Sequence, residues 1–467
     1  MNRPADLLFR DVEGDGERVD VLVSGGIITT VALEIDRPRG VEVIDGDGGA
    51  LLPGLHDHHL HLAALAAAMG SVHVGPPDVT SVRRFEQALS GAAVQTPSAG
   101  GWIRAVGYHE SLAGELDRHR LDAIVANRPL RVQDRSGMRW TLNTAGLERI
   151  GAREAAHPGI ERDRDGAPTG VLQRADDWLS ETLEGGFPDL TAVGRQLSEL
   201  GITGVTDCTP YRNRSGFDAI AAAVATGQLD LDVVLTGAVD LVDAESPEGV
   251  RLGPVKLVLD EIDLPAFDAT VDVISTAHHH GRNVAIHLVT AASLAFALAA
   301  WSEAGARPGD RIEHGSVITP DAAAEIARLG LAIVTQPGFV AERGDRYLVD
   351  VDPADRAHLY RCGTLLTAGV TVAGSSDAPY SDPDPWAAMR AAVERRTASG
   401  VVLGPGERVD AATALGLFLR DPLDLGRTRR VTPGSPADLC LLHRPLTSAE
   451  PLSAADVRRS YRAGRPA

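Results

Sequence analysis

Residues 283–316, NVAIHLVTAASLAFALAAWSEAGARPGDRIEHGS, contain one unit of an alternation that runs through much of the chain. Two short apolar runs, NVAIHLV and RIEHGS, flank a segment rich in alanine and leucine that ends at Gly305. This order is typical of a strand, a helix and a second, parallel strand. Strands that are apolar throughout indicate a parallel sheet with helices on both of its faces.

The same alternation extends in both directions from this segment. Eight apolar runs in all are predicted to be strands. Three of them are ALLPGLHDH near residue 50, residues 283–289 and residues 311–316, and five more occur elsewhere in the chain. These runs are ITGVTD (202–207), LDVVLTGA (231–238), PVKLVLDE (254–261), LAIVTQP (331–337) and VTVAGSSD (370–377). Eight β/α units over roughly 350 residues predict an α/β fold, the TIM (β/α)8 barrel. A doubly wound open sheet is the alternative, because periodicity alone does not separate the two.

The two ends of the chain have a different pattern. Short β-branched runs with glycine-rich turns fill the first fifty residues, and TPGSPADLCLLHRPL (432–446) is similar. We predict a composite β-sandwich domain from residues 1–52 and 410–467, around a barrel domain from 53–409. A long insertion, about residues 72–190, follows the first barrel strand and contains the strand-like runs WIRAVG and LRVQD.

Composition restricts the partners and the compartment. The 467 residues have a formal net charge of −19, which argues against nucleic acid and against anionic membrane surfaces. Neither a signal peptide nor an apolar run long enough to span a membrane is apparent, and the three cysteines are far apart. We therefore expect a cytoplasmic protein that acts on a small molecule; the sequence leaves a homo-oligomer open.

Candidate metal ligands occur at the ends of the predicted strands. The motif LLPGLHDHHLHL (51–62) contains four histidines, and histidines two apart on a strand can reach the same metal ion. Lys256, His287 and His314 lie on strands four, five and six, and Asp377 ends strand eight. The carboxyl ends of barrel strands converge on one face, so these side chains are expected to meet there. By contrast, His278–His280 are expected to form a solvated helix end.

These segments resemble the metal-dependent amidohydrolase superfamily, in particular the amidohydrolase family 3 branch that includes N-substituted formamide deformylases. PGLHDHHLH, GPVKLVLDE, VAIHLV, RIEHGS and AGSSDAP resemble its signature segments, in chain order. GWIRAVGYHE and DGAPTGVL resemble the long insertion of this branch, and PGSPADLCLL its C-terminal β-sandwich segment. The resemblance covers nearly the whole chain.

The resemblance implies a ligand set. His59, His61 and Asp377 would hold one divalent metal ion, most simply Zn²⁺, and His287 and His314 a second. Lys256 would be carboxylated and would bridge the two, since an ammonium group cannot bind a cation whereas its carbamate is an anion with two oxygens. The alternative is one metal ion, with Lys256 as an ordinary salt-bridged residue below it.

The activity implied is metal-dependent hydrolysis of a carbon–nitrogen bond of the amide type, with Asp377 as general base and then general acid. A deaminase with one metal ion is a second reading, and a catalytically silent regulatory protein a third. Asp57 could orient an imidazole or form a turn. The side chains expected to contact the substrate are Arg135, Met138, Trp140, Tyr211, Gln336 and Tyr380.

Overall fold

A computed structural model describes residues 6–76, 78–95, 101–183, 187–210, 214–239, 241, 247–448 and 450–467. The chain divides into two compact units, Met1–Leu62 with Asp189–Ala467 as the first and Ala63–Pro188 as the second. Within the described ranges, the helices all lack the combination of length and apolar composition that a membrane-spanning segment needs.

Strands and helices alternate along most of the described chain. The strands are β1 (Leu7–Gly14), β2 (Glu17–Ser24), β3 (Ile27–Ala32), β4 (Glu42–Asp45), β5 (Leu51–Pro53), β6 (Leu55–Leu60), β7 (Val72–His73), β8 (Ile103–Tyr108), β9 (Leu130–Asp134), β10 (Arg139–Leu142), β11 (Ile160–Arg162), β12 (Pro168–Gln173), β13 (Ile202–Asp207), β14 (Asp232–Gly237), β15 (Val250–Val258), β16 (Val284–Leu288), β17 (Arg311–His314), β18 (Ala332–Thr335), β19 (Val372–Gly374), β20 (Leu439–Leu442), β21 (Val457–Arg462) and β22 (Arg465–Pro466). The α-helices are α1 (Leu62–Met69), α2 (Val82–Gln95), α3 (Glu110–Ala113), α4 (Arg118–Asp122), α5 (Thr144–Arg149), α6 (Asp176–Thr182), α7 (Thr191–Glu199), α8 (Arg214–Ala225), α9 (Phe267–His279), α10 (Ala291–Ala304), α11 (Pro320–Leu329), α12 (Gly338–Asp350), α13 (Gly363–Thr367), α14 (Pro385–Glu394) and α15 (Ala411–Phe418).

The first unit contains the predicted barrel. Strands β6 and β13 to β19 form one parallel sheet in chain order. Beyond β19, the backbone N–H of Asp377 donates to the His59 carbonyl at 2.7 Å, and that of His61 donates to the Ala378 carbonyl at 2.9 Å. These two bonds join the last strand to the first. The sheet is therefore a nearly closed barrel, and the open-sheet alternative is excluded.

Residue choices at the helix ends explain the β/α alternation. The Thr290 hydroxyl accepts a hydrogen bond from the Ser293 N–H at 3.1 Å, which starts α10 immediately after β16. Thr319 starts α11 in the same way, with Pro320 at the first helical position, and Gly330 ends that helix at φ 69°. Hydroxyl caps, N-terminal proline and C-terminal glycine are the preferred ends of a helix. These caps separate β16 from α10 and β17 from α11, and Gly330 separates α11 from β18.

Both chain ends contribute to two antiparallel or mixed sheets in the same unit. The strand orders are β3-β2-β1-β4 and β22-β21-β20-β5. Strand β5, just before the barrel, pairs with β20, so that Leu51 lies opposite Leu441. Phe9 and Tyr461 contact each other edge to face at 4.9 Å within one apolar cluster. This pairing agrees with a composite unit, whose boundaries at residues 52 and 410 stay predictions.

The second unit has its own sheet, in the order β11-β12-β10-β9-β8-β7. The strand-like runs WIRAVG and LRVQD form β8 and β9, which pair in parallel. Apolar side chains from β8, β9 and α2 form a separate core that includes Phe85 and Leu130. The insertion therefore folds around a core of its own.

Candidate metal centre

The carboxyl ends of β6 and β19 bring two imidazoles and a carboxylate together. The Nε2 atoms of His59 and His61 lie 3.4 and 3.3 Å from the Oδ1 atom of Asp377. Ligands at roughly 2.0–2.1 Å from a tetrahedral zinc ion are about 3.3–3.4 Å apart. The Oδ1 atom of Asp377 is buried and has no hydrogen-bond partner among the described residues. The spacing and this unsatisfied oxygen both fit a bound divalent cation.

Two further imidazoles adjoin this group. The ring of His314, at the end of β17, lies 4.7 Å from that of His59, between ring centroids. The ring of His287, on β16, lies 4.4 Å from that of His314. Four histidines from three strands therefore form a continuous cluster with Asp377, as the barrel geometry predicts.

Three of these rings each contact a neighbouring side chain through their Nδ1 atom. The Nδ1 atom of His61 lies 3.1 Å from the Thr209 hydroxyl, and that of His314 lies 2.9 Å from the Gln336 Oε1 atom. The Nδ1 atom of His59 lies 2.5 Å from a carboxylate oxygen of Glu313. When Nδ1 carries the proton and donates it to an oxygen, the Nε2 lone pair remains available to a metal ion.

Burial also keeps three of the imidazoles, those of His59, His287 and His314, uncharged. Loss of solvent lowers the pKa of His59 and of His314 well below 6.5, and lowers the pKa of His287 to about 3. Since only a neutral imidazole can bind a metal ion, the rings are in the binding form at neutral pH.

Two of the candidate ligands have unusual backbone conformations. His314 has φ 69° and Asp377 has φ 62°, in the left-handed region that residues with a side chain seldom adopt. Such a conformation costs about 1–2 kcal/mol per residue and often occurs at functional sites. The two residues stand at the end of β17 and shortly after the end of β19.

Lys256 lies on β15, beside Ala285 of the next strand. It is only 7% exposed, and its Nζ atom has no hydrogen-bond partner among the described residues. It is also the only lysine in the sequence, where every other fixed cation is arginine. A buried ammonium group without an acceptor is unfavourable, and an arginine would serve as well for charge alone. Lys256 is thus a buried amine whose hydrogen-bonding capacity the described residues leave unsatisfied.

Most of the chain matches a known protein family. Residues 42–467 match the model of the amidohydrolase family. The chain is a member of that family. It is accordingly a hydrolase of carbon–nitrogen bonds other than peptide bonds, as the sequence predicted.

Individual relatives cover most of the chain. The N-substituted formamide deformylase of Arthrobacter pascens is 27% identical over 466 residues, which are 86% of this chain and 85% of the relative. An uncharacterized metal-dependent hydrolase from Pyrococcus horikoshii superposes with a TM-score of 0.77 at 19% identity, over 97% of this amidohydrolase and 100% of the other chain. An adenosine deaminase from Xanthomonas campestris with bound zinc superposes with a TM-score of 0.57 at 15% identity, covering 100% and 93%. The two structures share the barrel fold.

Two neighbours of the amidohydrolase site were missed from the sequence. Glu313 contacts His59, and Thr209 contacts His61. A signal for Glu313 was present, because an acidic residue inside the apolar strand RIEHGS needs a partner. Thr209 offered no such signal, since threonine is common after a strand.

Asp57 binds backbone and hydroxyl groups and connects two strand ends. It accepts hydrogen bonds from the Ser376 hydroxyl at 2.5 Å, the Ser376 N–H at 3.1 Å and the His59 N–H at 3.1 Å. Burial raises the pKa of Asp57 to about 7. Asp57 lies within β6 and its bonds go to backbone and hydroxyl groups, so it joins the first and last barrel strands, which is neither of the two roles expected from the sequence.

We expect Asp57→Ala to lower the free energy of unfolding by about 2–3 kcal/mol, because it leaves the buried N–H and hydroxyl of Ser376 without an acceptor. Asp57→Asn keeps an acceptor oxygen and should cost about 1 kcal/mol. Urea unfolding of both variants measures the difference. Equal losses in the two would contradict this account of Asp57.

Three further histidines of the first unit, His56, His58 and His278, are not among the candidate ligands. His56 and His58 alternate with His59 along β6; His56 contacts the Thr206 hydroxyl at 3.0 Å. The expectation of a solvated helix end at residues 278–280 is wrong for His278. Its ring is buried, and its Nε2 atom lies 2.9 Å from the Asp310 carboxylate, which precedes β17.

Three of the residues expected to contact the substrate, Tyr380, Gln336 and Tyr211, belong to the first unit. The ring of Tyr380 lies 5.7 Å from that of His61, next to the ligand cluster. Gln336 is fully buried; its Oε1 atom contacts His314, and its amide N–H donates to the Ser375 hydroxyl at 2.9 Å. This position suits holding His314 better than contacting a substrate. Tyr211 lies outside the described residues.

The candidates in the insertion belong to the second unit. Trp140 is buried, and its indole N–H donates to an Asp176 carboxylate oxygen at 2.7 Å. Met138 is exposed, and the Arg135 backbone N–H donates to the Tyr108 carbonyl at 2.9 Å. The contacts of Trp140 are those of a packed core residue. A substrate contact by any of the three stays a prediction.

Proposed function

We propose that this amidohydrolase cleaves the amide bond of a small N-substituted formamide or related amide, with divalent metal ions, most simply zinc, as cofactor. The observation that carries the proposal is the 3.3–3.4 Å spacing of His59 Nε2 and His61 Nε2 from Asp377 Oδ1. Imidazole and carboxylate groups are ordinary zinc ligands. The similarity to the N-substituted formamide deformylase of Arthrobacter pascens supports the substrate class.

The residues divide into two groups of ligands. His59, His61 and Asp377 would hold one metal ion, and His287 and His314 a second. Lys256, as a carbamate, would be a ligand of both ions, and its buried amine with no partner among the described residues supports this role. When bound, the metal ions supply Lewis acidity, which makes water nucleophilic at neutral pH and polarises a carbonyl group.

Asp377 performs the proton transfer in this proposal. Its carboxylate accepts the proton of the attacking water as the carbon–oxygen bond forms. It then donates that proton to the leaving nitrogen as the carbon–nitrogen bond breaks, so that a carboxylic acid and an amine are released. Glu313, Thr209 and Gln336 keep the imidazoles in place meanwhile, and Tyr380 lies where it can border the bound substrate.

The proposal is tested by a hydrolysis screen of the zinc-loaded protein. The panel should contain N-substituted formamides, N-acetylated amines and aminated heterocycles, with formate, amine and ammonia measured separately. We expect formate and amine in equal amounts, and no turnover after chelation. Ammonia released from an aminated ring, without cleavage of any amide, would replace the proposal by a deaminase.

A further inference from the structure

A buried pair of charges lies beneath the candidate metal centre. Glu313 and Arg311 are both on β17 and are 0% and 1% exposed. The Nε–H of Arg311 donates to the Oε1 atom of Glu313 at 2.7 Å. The Oε2 atom of Glu313 lies 2.5 Å from His59 Nδ1, so each carboxylate oxygen has a different partner.

Stability alone gives no reason for this pair. Removing two charges from water costs several kcal/mol per ion, and apolar side chains of similar volume are often as stable or more stable. The arrangement nevertheless achieves one thing that apolar residues cannot. Arg311 balances the charge of Glu313, and the second oxygen remains free to accept the Nδ1 proton of His59.

The three oriented imidazoles differ in the charge of the group that contacts their Nδ1 atoms. His61 and His314 have the uncharged partners Thr209 and Gln336, whereas His59 has a carboxylate. A charge-assisted hydrogen bond is stronger than a neutral one, and an anionic acceptor increases the basicity of the opposite ring nitrogen. His59 should therefore be the most strongly binding imidazole of the three.

Glu313 could instead be a metal ligand, since His59, Cys208 and Glu313 also have close ligand atoms. Two observations argue against a cation there. The guanidinium group of Arg311 already contacts both Glu313 and the Cys208 sulfur, the latter at 3.5 Å. Burial also raises the pKa of Cys208, which keeps its thiol protonated.

We propose that Glu313, fixed by Arg311, is a positioning residue that sets the tautomer and ring orientation of His59 and thereby the affinity of the amidohydrolase for its first metal ion. This inference rests on the proposed function, because it requires His59 to bind metal through Nε2. It extends the proposed function because it attributes part of the metal affinity to the contact between Glu313 and His59.

The test is the dissociation constant for Zn²⁺, measured by competition with a chelator of known affinity. Glu313→Gln, which removes the charge, should weaken binding of the tighter zinc ion by 10- to 100-fold. Glu313→Asp keeps the charge beside Arg311 and should weaken it by about threefold to tenfold. Zinc affinity like that of the wild type in either variant overturns the proposal.

Asp310→Asn is the matched control, because Asp310 is a buried carboxylate at the other end of the same strand and is also bonded to a histidine, His278. It should lower the melting temperature and leave the zinc affinity unchanged. An equal loss of affinity in Asp310→Asn would show general destabilisation and overturn the proposal. If the wild-type protein binds no zinc, the proposed function fails as well, and that result is distinct from a failure confined to the Glu313 variants.

Discussion

Replacing Asp377 by Asn is expected to reduce turnover by about 10³-fold or more, because the variant loses the carboxylate that, in the proposed mechanism, both holds metal and transfers the proton. We expect the Asp377→Asn variant to keep the native fold. The bond between the Asp377 N–H and the His59 carbonyl, which helps to close the barrel, does not involve the side chain. The measurement is kcat/KM for the best substrate of the screen, with circular dichroism and the melting temperature as checks on folding.

Asp382→Asn is the control for this variant. Asp382 is exposed and lies on the same loop, so its replacement should leave kcat/KM unchanged. Turnover by Asp377→Asn within tenfold of the wild-type value would rule out the assigned proton transfer.

Replacing Lys256 by Met is expected to lower the metal content from about two equivalents per chain to about one, and to reduce turnover by about 10²-fold or more. The reason is that, in the proposed centre, the variant would lack the carbamate that helps to hold the second metal ion. Metal analysis of the purified variants gives the first quantity. The carbamate itself can be observed by ¹³C NMR after exchange with ¹³C-bicarbonate, and the single lysine removes any ambiguity between side chains.

The variant Lys256→Arg distinguishes a carbamate ligand from a lysine that acts only as a buried positive charge. Arginine keeps the positive charge but has no primary amine to form the carbamate. We therefore expect Lys256→Arg to lose metal and the ¹³C signal as Lys256→Met does. Full turnover with the arginine variant would mean that Lys256 serves only as a cation and that the centre holds one metal ion.

The barrel and the convergence of its ligands could be predicted because both depend on regular features. Apolar runs separated by capped helices predict parallel strands, and parallel strands in a barrel end on one face. His287 and His314 are on neighbouring strands, and the closure between His59 and Asp377 brings the first and last strands together. These relations follow from strand order alone.

The contacts between side chains could not be predicted in the same way. Glu313 and His59 are 254 positions apart, and their bond depends on how β17 faces β6 across the barrel. His278 was misjudged because its partner, Asp310, comes from a turn 32 residues later. Gln336 was expected at the mouth, yet the end of β18 directs it to His314 and Ser375. Such details depend on the three-dimensional register of packed elements.

The single lysine has a practical consequence for covalent chemistry. Acylating and reductive-alkylating reagents that attack amines find only Lys256 and the N-terminus in this protein. In the proposed centre a carbamate on Lys256 would block the amine, and loss of the carbamate together with the metal would leave an amine that can react. The extent of labelling at one side chain, read by mass spectrometry of the intact protein, would then report how much of a preparation is assembled for catalysis.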